Sequence, residues 1–162
     1  ASLCENDMLD TAKNIIEKSK SQNCKLYLPV DVVAADDFAQ NSPHETYSSN
    51  DIPSNRMVLD AGSKSLDIYK NVLDSSKTLV WNGPLGAFEL EPFDKGTNEL
   101  ASYAGKLSQK NELISVAGGG DTVSALEKSG AASQFSYIST AGGAFLEWLE
   151  GKTLPGVKAL RH

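Results

Sequence analysis

The stretch Thr78-Leu79-Val80-Trp81-Asn82-Gly83-Pro84-Leu85-Gly86 changes character in the middle. Thr78 to Trp81 is short, apolar and rich in residues that favour a pleated surface, which reads as a strand. Asn82-Gly83-Pro84 cannot prolong it, because Gly and Pro punctuate regular structure. Further on, Leu100, Tyr103, Ala104 and Leu107 are spaced i, i+3, i+4, i+7, the period of a helix with one apolar face. The same strand, glycine loop and helix grammar recurs twice. Leu113 to Ala117 runs into Gly118-Gly119-Gly120-Asp121-Thr122 and a short helix to Lys128, and Phe135 to Thr140 runs into Ala141-Gly142-Gly143 and a helix to Leu149.

Upstream, Met8, Ala12, Ile15 and Ile16 predict a helix over residues 4 to 21 with one buried stripe. Leu66, Tyr69 and Leu73 predict another from Ser63 to Ser75. Lys25 to Ala35 and Arg56 to Ala61 read as strands, giving five βα-like units in all. Helices alternating with strands that are apolar on both faces imply an α/β fold, a parallel sheet covered on both sides. Residues 36 to 55, rich in Asp, Ser, Asn and Pro, read as a long polar connection and the most flexible segment.

Composition narrows the function. The 162 residues carry 15 Lys and Arg against 21 Asp and Glu, a formal charge of −6, with no basic stripe, which argues against nucleic acid as a partner. No apolar run reaches the roughly 20 residues of a bilayer span, and the start lacks signal-peptide features, so a cytoplasmic protein is expected, with no membrane partner. Cys4 and Cys24 have neither metal-ligand spacing nor a CxxC pattern. Trp81 and Trp148 read as core aromatics, and His44 and His162 as surface positions.

In an open parallel sheet ligands bind beyond the carboxyl ends of the strands, so the three glycine loops should share one edge. Glycines admit close backbone approach, and helix N-termini favour negative charge. Each helix end contributes only about 0.3–1 kcal/mol at exposed sites, so several must converge to hold a phosphate chain. Asp121 has two readings: an N-cap for the helix that follows, or a ligand of Mg²⁺, because a carboxylate beside phosphates needs an intervening cation. Thr122 is either a helix-start residue or a hydroxyl donor to phosphate.

At these residues the sequence resembles phosphoglycerate kinase. Thr78 to Glu89 is similar to the family's VWNGPxGxFE signature. It is followed in order by Phe93-Asp94-Lys95-Gly96-Thr97, Ala117 to Thr122, Ser139 to Ala144 and Leu149 to Val157, and preceded by Lys25 to Asp31. The resemblance covers about the last two-fifths of a family chain. It implies most of a C-terminal nucleotide-binding domain, a single domain over residues 1–162 with a three-layer, Rossmann-like sheet. The N-terminal substrate domain and the family's Gly-Gly-Ala-Lys stretch are missing.

By residue, the resemblance implies that Asn82 contacts the nucleotide phosphates and that Gly83, Pro84, Leu85 and Gly86 line the cleft. Glu89 would accept hydrogen bonds from the ribose, and Leu59 would wall the adenine. Asp121 would sit on Mg²⁺, with Gly118, Gly119, Gly120 and Thr122 around the phosphates. Gly142 and Gly143 would lie near the phosphoryl group in transfer. The implied reaction moves a phosphoryl group reversibly from 1,3-bisphosphoglycerate to ADP, giving 3-phosphoglycerate and ATP. The triose would be held by the missing domain, leaving this chain inactive alone. A full-length member is expected to be a monomer, and this chain to self-associate through exposed sheet edges.

Two departures stand out: Ala141 replaces the first of three glycines, and Ser63 a proline. In the tail, Leu154, Val157 and Leu160 are expected to lack a covering surface. The competing readings are a receiver-like phosphoacceptor using Asp36 and Asp37 as a metal pair, and a non-catalytic nucleotide-binding module.

Overall fold

A computed structural model describes residues 5–139 and 141–160. Cys4, Thr140 and His162 therefore lie outside the described residues. The first described elements are a short 3-10 turn, Asn6–Met8, and α1 (Leu9–Ser21). Next come β1 (Asp31–Ala35), β2 (His44–Ser48), β3 (Met57–Ala61), α2 (Ser63–Ser75) and β4 (Thr78–Trp81). The order closes with α3 (Lys95–Gln109), β5 (Ile114–Gly118), α4 (Gly120–Lys128), β6 (Tyr137–Ser139), α5 (Gly142–Leu149) and α6 (Pro155–Ala159).

The fold is α/β, as expected, with the parallel pattern confined to its second half. β4, β5 and β6 form a parallel sheet in that order, with Trp81 opposite Ala117 and Gly118 opposite Ser139. The helices α3 and α4 make its two crossovers. β1 and β3 instead pair antiparallel in a separate sheet of order β2-β1-β3. The reason is connection length. A parallel return needs a crossover of about a dozen residues or more, usually helical, whereas β1, β2 and β3 are joined by short helix-free links.

The polar connection thus contains a strand. His44–Ser48 pairs with β1 from Asp31↔Ser48 to Ala35↔His44, and four of its five residues are exposed. Its counterpart shortening is upstream: regular pairing starts only at Asp31, and Leu26, Tyr27 and Leu28 run exposed before it.

The main core lies between the parallel sheet and helices α2 and α3. Leu66, Leu73, Trp81, Leu100, Leu107 and Leu126 pack there with Ala104, Leu113 and Phe135, and the Trp81 and Phe135 rings meet edge to face at 5.9 Å. A smaller cluster of Ala35, Leu59 and Phe93 joins β1 and β3 to the segment before α3. Among the described residues every buried side-chain polar atom has a hydrogen-bond partner. Asp31, on β1, accepts the Ser65 N–H at 2.8 Å and the Lys64 N–H at 3.2 Å, filling the role of a cap for α2 from another strand. Burial opposes its ionisation, yet the Ser65 and Lys64 bonds prevail and hold its carboxyl below the usual range.

Two sequence expectations fail at the ends of the chain. The α1 stripe is not buried, with Met8 and Ile15 about half exposed, and Ile16 and Ser19 face Leu26 and Leu28 across an open hollow. Trp148, on α5, is also half exposed, while Trp81 is in the core. In the tail Val157 and Leu160 are exposed, the latter at 81%, whereas Leu154 is half-buried. Among the described residues no helix is long and apolar enough to cross a membrane.

Candidate active site

The parallel order β4-β5-β6 puts the loops after these strands side by side at one sheet edge. Each loop is then tied to the next. The Gly83 N–H donates to Thr122 Oγ1 at 2.7 Å, joining the loop after β4 to the first turn of α4. On the far side, a Cβ placed on Gly142 would lie 2.6 Å from both Gly119 N and Gly119 Cα, so the start of α5 rests directly on the glycine turn before α4. Gly119 itself has φ 101°, a left-handed conformation that glycine adopts at no steric cost.

Asp121 is the second residue of α4, and Gly119 holds the N-cap position. Asp121 therefore does not occupy the N-cap position considered for it, and no side chain caps this helix start. Its carboxylate is exposed beside the free N–H groups of a helix start, where negative charge is favoured. Thr122 is almost fully buried, and its hydroxyl is engaged by Gly83. Ala141 has φ −103°, so an alanine there brings no backbone strain, and Gly143 faces open space.

The loop after β4 is anchored along its length. Trp81 Nε1 donates to the Gly83 carbonyl at 2.7 Å, the Leu85 N–H donates to Thr97 Oγ1 at 3.0 Å, and the Ala87 N–H donates to the Leu59 carbonyl at 2.8 Å. That last bond brings the loop to β3. Leu59, Leu85, Gly86 and Glu89 consequently line one cavity of about 460 Å³, whose other walls include Phe38 and Tyr69. Asn82, Gly83 and Leu85 border a second hollow of about 330 Å³ with Trp81 and Tyr27.

Two contributors escaped the sequence reading. Phe38 stands alone in a polar stretch and has no periodic partner, yet it lines the cavity with Leu59 and Glu89. Lys128, the last residue of α4, reaches back to the Phe88 carbonyl at 2.7 Å and to Asp94 Oδ2 at 3.1 Å, bracing the turn that presents Glu89. No sequence signal marks it. Asp36 is engaged by Arg56 at 2.9 Å, and no group of three or more His, Cys, Asp or Glu side chains able to hold a metal occurs among the described residues.

Comparison with known proteins identifies the family. The phosphoglycerate kinase family profile matches residues 1–152. The chain is 55% identical over 161 residues to the phosphoglycerate kinase of Xanthobacter flavus, covering 99% of this chain and 41% of that protein. It is 56% identical over 159 residues to the one from Zymomonas mobilis, with 98% and 40% covered. The solved phosphoglycerate kinase from Coxiella burnetii superposes with TM-score 0.91 at 43% identity, over 97% of this chain and 39% of that one. The enzyme from Pyrococcus horikoshii superposes with TM-score 0.77 at 26% identity. The chain thus spans about two-fifths of the length of the relatives it matches, and it belongs to the phosphoglycerate kinase family.

Proposed function

We propose that this chain supplies the Mg²⁺-nucleotide site of a phosphoglycerate kinase, which transfers a phosphoryl group between 1,3-bisphosphoglycerate and ADP. The observation that carries the reading is the single cavity lined by Leu59, Leu85, Gly86 and Glu89, set beside three loops locked to one another at the strand ends. In this reading the apolar walls at Leu59 and Leu85 take the adenine and the Glu89 carboxylate accepts the ribose hydroxyls. Asn82 and the N–H groups of Gly119, Gly120 and Thr122 hold the phosphates. Gly142 and Gly143 lie beside the phosphoryl group in transfer.

The donor set suits Mg²⁺, which takes one or two carboxylates and fills its remaining positions with water and substrate phosphate oxygens. Asp121 offers one exposed carboxylate at the start of α4, and it would hold the ion. When bound, Mg²⁺ supplies neutralisation of phosphate charge. The rest of the work is positioning by fixed backbone donors, on which phosphoryl transfer largely depends. The triose substrate would be gripped by a part of the enzyme outside these residues, so this chain alone is inactive.

Calorimetric titration with Mg²⁺·ADP tests the reading. Binding that is abolished by Asn82→Ala and weakened by Glu89→Ala supports it. A chain that ignores nucleotide but becomes covalently labelled by acetyl phosphate would support the phosphoacceptor alternative instead.

A further inference from the structure

Asp60 is the penultimate residue of β3, next to Leu59, and is only 4% exposed. Its Oδ2 accepts the Gly96 N–H at 2.8 Å, one of the N–H groups that the first turn of α3 leaves without a helical partner. Its Oδ1 accepts the Ala61 N–H, also at 2.8 Å. The carboxylate is wedged between two glycines. A Cβ on Gly86 would come within 2.5 Å of Oδ1, and so would a Cβ on Gly96. Gly86 belongs to the loop that carries Leu85 and Glu89, so one side chain meets β3, that loop and the start of α3.

The surroundings make this a costly place for a charge. Asp94, at the N-cap of α3, and Glu99 within it face Asp60 with the same sign, and each of these carboxylates is itself paired with a lysine, Asp94 with Lys128 and Glu99 with Lys70. Burial, more than these neighbours, raises the Asp60 carboxyl to about 6. Above that value both oxygens accept. Protonation of either oxygen weakens it as an acceptor for its N–H, so one of the two bonds loosens.

We infer that Asp60 is a positioning residue for the nucleotide loop: its carboxylate, held between Gly86 and Gly96, sets the Leu85–Glu89 wall of the cavity, and nucleotide affinity follows its ionisation. The inference rests on the nucleotide reading above. It also gives the buried charge a use at neutral pH, since the ionised group is the stronger acceptor for the Ala61 and Gly96 N–H groups together.

The test has two arms. In the free chain, the amide resonances of Ala61, Gly96, Gly86 and Ala87 should shift with one midpoint near 6, and Asp60→Asn should remove that transition. In the second arm, Mg²⁺·ADP dissociation constants are compared for the native chain and Asp60→Asn at several pH values, so that the ligand's own ionisation cancels in their ratio. The variant should bind about tenfold more weakly near neutrality, as expected for losing a hydrogen bond to a charged group, with the ratio approaching unity below the midpoint. Amides that do not titrate in the native chain, or a ratio independent of pH, would overturn the inference. If Asp60→Asn does not fold, the native amide titration decides alone. A native chain whose amides titrate but which binds no nucleotide at any pH would sink the proposed function and still support the placement of the loop by Asp60.

Discussion

Gly83 and Thr122, thirty-nine residues apart, share a hydrogen bond of 2.7 Å from the glycine amide to the threonine hydroxyl oxygen. It converts two glycine-bearing loops into one surface, since the Thr122 side chain is buried and has no freedom to leave. Thr122→Val keeps the β-branched shape and removes the acceptor. Urea unfolding should show a loss of about 1–3 kcal/mol for the stranded amide, and Thr122→Ser should recover most of it.

Gly142 and Gly143 are adjacent and should respond in opposite ways to alanine. At Gly142 the added Cβ would meet Gly119 backbone at 2.6 Å, and backbone cannot rotate aside. The expected penalty is about 1–3 kcal/mol with displacement of α5, as for other overpacked contacts. At Gly143 nothing lies within 4 Å, so alanine should be neutral or stabilise by about 0.4–1 kcal/mol through the unfolded chain. Thermal denaturation of the two variants separates the cases.

The buried aspartates Asp60 and Asp31 predict opposite pH dependences. Asp60 has a folded value raised from 3.8 to about 6, so its contribution is fully present below the unfolded value and is lost as pH rises through about 6. The difference amounts to about 3 kcal/mol. Stability of the native chain relative to Asp60→Asn should therefore fall between about pH 4 and pH 7. Asp31 is shifted the other way, its contribution present above 3.8 and lost as pH falls below it. Stability of the native chain relative to Asp31→Asn should shrink on acidification. Urea titrations from pH 7 down to well below 3.8 measure both differences.

Leu126 is fully buried between α4 and the core around Trp81 and Leu100. Leu126→Ala should cost about 2–5 kcal/mol and broaden the amide resonances of Gly119 and Gly120 at the head of the same helix. A loss below about 1 kcal/mol would mean that the site collapses around the missing atoms.

Where hydrophobic period and turn chemistry agree, local structure was readable in advance. The helix predicted from Ser63 to Ser75 has those bounds, and so has the strand from Thr78 to Trp81. The period fails for β2, whose His44-Glu45-Thr46-Tyr47-Ser48 has no apolar face and is held by backbone pairing to β1. The antiparallel return of β3 was in principle visible, because no helical pattern separates it from β1. For the α1 stripe, amphipathicity marks a face able to bury itself but cannot supply the surface that covers it.

The candidate site divides along the same line. Its glycines, Asn82 and Asp121 announce themselves by local chemistry, since turns and helix starts restrict residue type. Asp60, Lys128 and Phe38 act across the chain, on Gly96, on the Phe88 carbonyl and on the cavity of Leu59. Ordinary residue types in ordinary local settings acquire these jobs only when the elements come together.

Gly142 rests on Gly119 without any side chain between them. Two peptide planes in direct contact have almost no compliance, so a push on the turn before α4 is delivered undamped to the head of α5. That helix carries the half-exposed Trp148 near its far end, which makes the indole a natural needle on the dial: a ligand that seats at the α4 start should be legible as a change in its fluorescence.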